Sequence, residues 1–87
     1  MIYPTIHLNG TSADELMLHY EQAASALRRS IDALEYASPN ARDYYTRGDG
    51  VFKIATTEHA ARIELVKKAL SEIVILWEHV QSEQDKQ

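Results

Sequence analysis

Apolar residues recur along this chain with two different periods. Near the start they alternate. Ile2, Ile6 and Leu8 share one side of an extended segment, and Tyr3, Thr5 and His7 share the other. Pro4 blocks a helix there and excludes a central strand position, and Asn9-Gly10 is a turn signal. From Ala13 the spacing changes to fours and threes. Ala13, Met17, Tyr20, Ala24, Leu27, Ile31 and Leu34 form a heptad seam on one helix. Thr11 and Ser12 offer N-caps before it, and Ser12 with Glu15 reads as a capping box. Asp14 and Glu15 also suit the positive end of the helix dipole. Pro39 stops this helix by pushing Ser38 out of the α region. A second seam runs through His59, Ile63, Val66, Leu70, Ile73, Trp77 and Val80. It starts at Thr56 or Thr57 and fades in the polar tail Gln81 to Gln87.

The pattern predicts an all-α fold in a single domain: an antiparallel two-helix hairpin with an extended N-terminal arm. The arm covers 1–10, the first helix about 12–37, the loop about 38–55 and the second helix about 56–82. Helices of roughly 25 residues are about 37 Å long. Antiparallel folding places Met17 near Trp77, Tyr20 near Ile73, Ala24 near Leu70, Leu27 near Val66 and Ile31 near Ile63. His59 then faces Leu34, beside the loop.

A hairpin buries one stripe per helix, and this chain carries more. Ile73 to Trp77 is apolar around the whole helix, Leu65 and Ala69 extend a second stripe, and Leu16 and Ala23 do the same on the first helix. The expectation is therefore a homo-oligomer, with hairpins associating into a helical bundle. The alternative is an arm that folds back over Ile75 and Leu76 of a monomer.

Composition narrows the classes. A chain of 87 residues is one domain, and 45% apolar with 25% charged residues argues against disorder. The absence of cysteine excludes disulfides, thiolate metal sites and thiol catalysis. No apolar run approaches the roughly 18 residues of a membrane span, and no secretory leader is read. A net charge of −4 without a continuous basic stripe disfavours double-stranded DNA. Charge is polarised along the predicted rod, acidic at the end holding the first helix start and mildly basic at the loop.

The loop is the unusual stretch. Asn40 to Lys53 is long for a helix–helix connection and sets Arg42, Tyr44, Tyr45, Arg47 and Lys53 beside Gly48 and Gly50. Guanidinium forks, tyrosine rings and permissive backbone suit an anionic, ring-bearing ligand. Since a lone hairpin tip is convex, the pocket needs a neighbouring subunit or the side of the bundle to complete it. Arg62, with Arg28 and Arg29, is placed to help. The competing reading is a lid, with Tyr44, Tyr45 and Phe52 plugging the hairpin end. Arg47-Gly48-Asp49 matches an integrin-binding tripeptide, a three-letter match that recurs by chance. Neither Glu-x-x-His nor His-x-x-x-His occurs among His7, His19, His59 and His79, so no metal site is expected. No phosphate loop, dinucleotide fingerprint or nucleophile elbow is present, so no enzyme and no cofactor are expected.

Three segments, Ile6 to Ser12, Pro39 to Tyr45 and Glu58 to Arg62, resemble a pattern seen in small proteins of tailed phages and prophages. The resemblance spans most of the chain and assigns no site residues. It implies a protein made in the cytoplasm of an infected bacterium. At the level of architecture the hairpin is also similar to phage counter-defence oligomers that sequester cyclic nucleotide signals without cleaving them. The expected function is sequestration of a small anionic nucleotide signal of the host by a non-enzymatic binding protein. The alternative is a phage structural or host-factor interaction protein acting through its apolar helix surface and loop.

Overall fold

A computed structural model describes residues 1–86. Two long helices dominate it, α1 (Ala13–Tyr36) and α2 (Val51–Asp85), packed antiparallel and joined by two short 3-10 turns, Ala41–Asp43 and Tyr45–Arg47. The arm before α1 forms no regular element and closes on a turn in which the Gly10 amide bonds the His7 carbonyl.

The start of α1 follows its local chemistry. Ser12 is the N-cap, and its hydroxyl accepts from the Glu15 amide at 3.1 Å. That is half of the capping box; the reciprocal bond, from the Ser12 amide to the Glu15 carboxylate, is absent among the described residues. At the other end the Ala37 amide reaches back to the Ala33 and Leu34 carbonyls, two residues before Pro39.

The start of α2 differs from the expectation. The helix begins at Val51, so residues 51–55 are helical, not loop. Thr56 and Thr57 are not caps. Their hydroxyls donate one turn back, to the Phe52 carbonyl at 2.9 Å and the Lys53 carbonyl at 3.1 Å, a local bond open to either residue inside a helix. The chain instead turns into α2 through Gly48 and Gly50, at φ 108° and 82°. A Cβ at either glycine would meet no atom within 4 Å, so backbone conformation alone, and not space, calls for glycine there. The helix also continues through the polar tail to Asp85. Gln87, at the end of that tail, lies outside the described residues.

Polar bonds tie the two helices together along their length. His59 Nε2 donates to the Leu34 carbonyl near the loop. Trp77 Nε1 donates to Glu21 at 3.1 Å in the middle, and Gln84 donates to Asp14 at 2.8 Å at the open end. With 35 residues against 24, α2 outruns α1 by about 16 Å. With His59 opposite Leu34, about six residues of that excess, roughly 9 Å, project past the end of α1 at the loop, and the 3-10 turns fold against them. There the Tyr44 and Phe52 rings lie 6.2 Å apart, centroid to centroid.

The seam between the helices is only half sealed. Ala13, Ala24, His59 and Val80 are buried, and Val80 is the one large side chain wholly out of solvent among the described residues. Leu27, Ile31, Ile63, Val66 and Leu70 are each half-buried. The arm adds one clasp: Tyr3 stacks on His79 at 4.6 Å, and His79 Nε2 donates to the Pro4 carbonyl at 3.1 Å. It leaves Ile75 exposed, along with Leu65 at 70% and Ile54 at 61% exposure. A compact 87-residue domain has a radius of gyration of about 12 Å; this rod has 18.9 Å and extends 61 Å. It exposes 6603 Å², about 1,400 Å² more than a compact monomer of 9.9 kDa. No helix among the described residues is long and apolar enough to cross a membrane.

Candidate functional site

The loop is ordered by its own short-range bonds. Asn40 caps the first 3-10 turn, its side-chain oxygen accepting from the Arg42 amide at 2.9 Å, as asparagine does in tight turns. The Asp43, Tyr44 and Arg47 amides reach back to the Asn40, Ala41 and Tyr44 carbonyls at 2.9, 3.1 and 2.9 Å. These turns bend the chain across the projecting start of α2, and that overhang supplies the concavity that a bare hairpin tip lacks.

A pocket of about 320 Å³ lies in the bend. Ala37 and Pro39 form one side, and Tyr44 and Arg47 a second. The third side is the face of α2 carrying Ile54, Glu58, His59 and Arg62. At its back, buried His59 links the helices. Since a carbonyl only accepts, the nitrogen facing Leu34 carries the proton, which leaves Nδ1 bare. Arg62 Nη1 lies 3.4 Å from that Nδ1 and donates to it. This bond tethers the guanidinium, whose other N–H groups have no protein partner among the described residues.

Of the six residues singled out for ligand binding, the fold brings Tyr44, Arg47 and Arg62 to this pocket. Arg42, Tyr45 and Lys53 do not line it; all three are exposed, Tyr45 at 79%. Nor do Arg28 and Arg29 close it. Arg28 lines a different cleft, and Arg29 donates to Ser25 at 2.7 Å on its own helix. The lid reading fits only in part: Tyr44 is half-buried near Phe52, whereas Tyr45 plugs nothing.

Two residues in the pocket escaped the sequence reading. Glu58 makes no ion pair among the described residues and lines the pocket with Arg47 and Arg62. His59 meets Leu34 as its seam position predicts, whereas its spacing carries no signal for the Arg62 bond. A second cleft, of about 280 Å³, lies at mid-hairpin between Tyr20, Glu21, Arg28, Trp77 and Glu78. Its signal was present in the register, which sets Trp77 beside Met17 and hence one turn from Glu21. Among the described residues no group of three or more His, Asp or Glu side chains is placed to hold a metal ion. No known protein family, curated protein or solved structure matches this chain.

Proposed function

We propose that this chain is a non-enzymatic phage protein that binds a small anionic nucleotide in the loop-end pocket and thereby withholds a signal from the host. The observation that carries the reading is the convergence of Tyr44, Arg47 and Arg62 on one pocket backed by buried His59. Two guanidinium groups suit a phosphate. A tyrosine ring gives a base a stacking face, and Glu58 can accept from ribose hydroxyls or an exocyclic amine. About 320 Å³ is near the lower end of the roughly 300–1,000 Å³ typical of small-molecule sites. That favours one nucleoside-sized unit over a polynucleotide. The test is a thermal-shift panel of linear and cyclic nucleotides, in which a ligand of the native state raises the melting temperature. A flat panel rejects the reading.

The second part of the proposal is self-association. Exposed Leu65, Ile54 and Ile75 support it. So does the surplus surface, which exceeds the about 800 Å² that each partner commits to a standard interface. The same surface supports the runner-up, an interaction protein that engages a host or virion protein. The two readings part on oligomeric state, since only the first pairs the hairpins with one another.

A further inference from the structure

The cleft at mid-hairpin has a chemistry of its own. Glu21 and Arg28 from α1 face Trp77 and Glu78 from α2, over a floor that includes buried Ala24 and half-buried Ile73. The small Ala24 side chain leaves the space. Trp77 Nε1 donates to Glu21 at 3.1 Å, which fixes one carboxylate at the indole edge. Glu78 stands on the opposite helix. Among the described residues neither carboxylate is ion-paired. Both carboxylates are exposed and line one cleft, so a cation seated near the indole would meet two negative charges.

We propose that this cleft binds an organic monocation of the alkylammonium or quaternary ammonium class. Carboxylates beside an aromatic face are the usual recognition elements for such a head group. Trp77 and Tyr20 supply rings, Glu21 and Glu78 the charge, and Ile73 and Val74 an apolar bed for the alkyl body. Arg28 defines the other end. It lies two helical turns from Glu21, about 10.5 Å along the axis, and belongs to the same cleft. A second ammonium reaching that far would meet the guanidinium and be repelled, so a monocation is preferred over a polyamine.

Trp77 is the chain's only tryptophan, so its emission reports on the cleft directly. The experiment titrates the full chain with choline and with butyltrimethylammonium against sodium chloride of equal ionic strength. A saturable change with both ammonium ions, weaker with spermidine, is expected. Glu21→Gln keeps an acceptor for the indole N–H and removes the charge. It and Glu78→Gln should each weaken binding by about two- to fivefold, the effect of one exposed ion pair. Arg47→Ala should leave this titration unchanged, which separates the cleft from the loop-end pocket. Emission that follows ionic strength alone overturns the proposal. So does spermidine binding tighter than choline, or a Glu78→Gln variant, folded by circular dichroism, that binds choline as the native chain does. A change that tracks protein concentration and ignores choline also overturns it, in favour of a second copy in the groove.

Discussion

The two arginines of the loop-end pocket and the two cations beside it provide an internal control. Arg62→Ala removes a guanidinium already oriented by His59 Nδ1. Arg47→Ala removes its neighbour across the pocket. Each charge-assisted hydrogen bond to a bound phosphate contributes about 1.5–3 kcal/mol, so either change should weaken nucleotide binding by roughly ten- to a hundredfold. Arg62→Lys should fall between native and Arg62→Ala, because it keeps the charge and loses the planar fork. Arg42 and Lys53 are exposed and line no part of the pocket. Salt screening should hold Arg42→Ala and Lys53→Ala to less than about threefold. Calorimetric titration reads these ratios, and thermal shift checks them. Ligand at a hundred times Kd stabilises by about 2.7 kcal/mol, or about 10–20 °C for a domain of this size. A hundredfold weaker variant at the same ligand concentration should shift by only about 2–3 °C. Equal losses for Arg42→Ala and Arg62→Ala would refute the reasoning. So would a drop in the ligand-free melting temperature of Arg62→Ala large enough to account for its weaker binding.

Four further outcomes follow from the fold. Val80→Ala should cost about 2 kcal/mol in chemical denaturation, since it strips two methyl groups from the one fully enclosed large side chain; a cost below about 0.5 kcal/mol would place Val80 at a surface. Half-buried Leu27 and Leu70 should each cost less on truncation than the roughly 2–5 kcal/mol of a sealed core leucine. Light scattering should give a mass above 9.9 kDa, and Leu65→Asp should lower it, because an unpaired charge in an apolar interface is costly; a native monomer would remove self-association. Gly50→Ala should destabilise by about 1–3 kcal/mol through backbone strain alone, at φ 82° with no atom near the new methyl. A neutral Gly50→Ala would show that α2 is not entered through a left-handed residue.

The two helices and their antiparallel packing were legible because they depend on spacing within each segment. A heptad seam orients its own helix, and two such seams joined by a loop have one antiparallel alignment that matches large residues to small. The pair His59 with Leu34 lies on that alignment, and the Trp77 indole reaches Glu21, one turn along from its predicted neighbour Met17. The start of α2 was not legible. Threonine is a good cap and a tolerated interior residue, and its own neighbours do not separate the two roles. The decision lay in the left-handed Gly48 and Gly50, which turn the chain early enough for Val51 to begin the helix.

For the candidate binding residues, the sequence by itself determined a kit of arginines and tyrosines near one end of a rod. Only the tertiary structure decided which of them meet. Sequence proximity joined Arg42, Tyr45 and Lys53 to Tyr44 and Arg47, yet the 3-10 turns direct only Tyr44 and Arg47 to the pocket. Arg62, far along the chain, joins them because α2 overhangs α1 and because His59, held by the end of α1, holds it in turn. The aromatic and carboxylate cleft likewise exists only where two helices bring Glu21 and Glu78 to one groove. Periodicity specifies the face of a helix that is buried, because burial repeats with the helical turn. The direction of a loop side chain does not repeat, and it is set by turns, overhangs and single hydrogen bonds between distant residues.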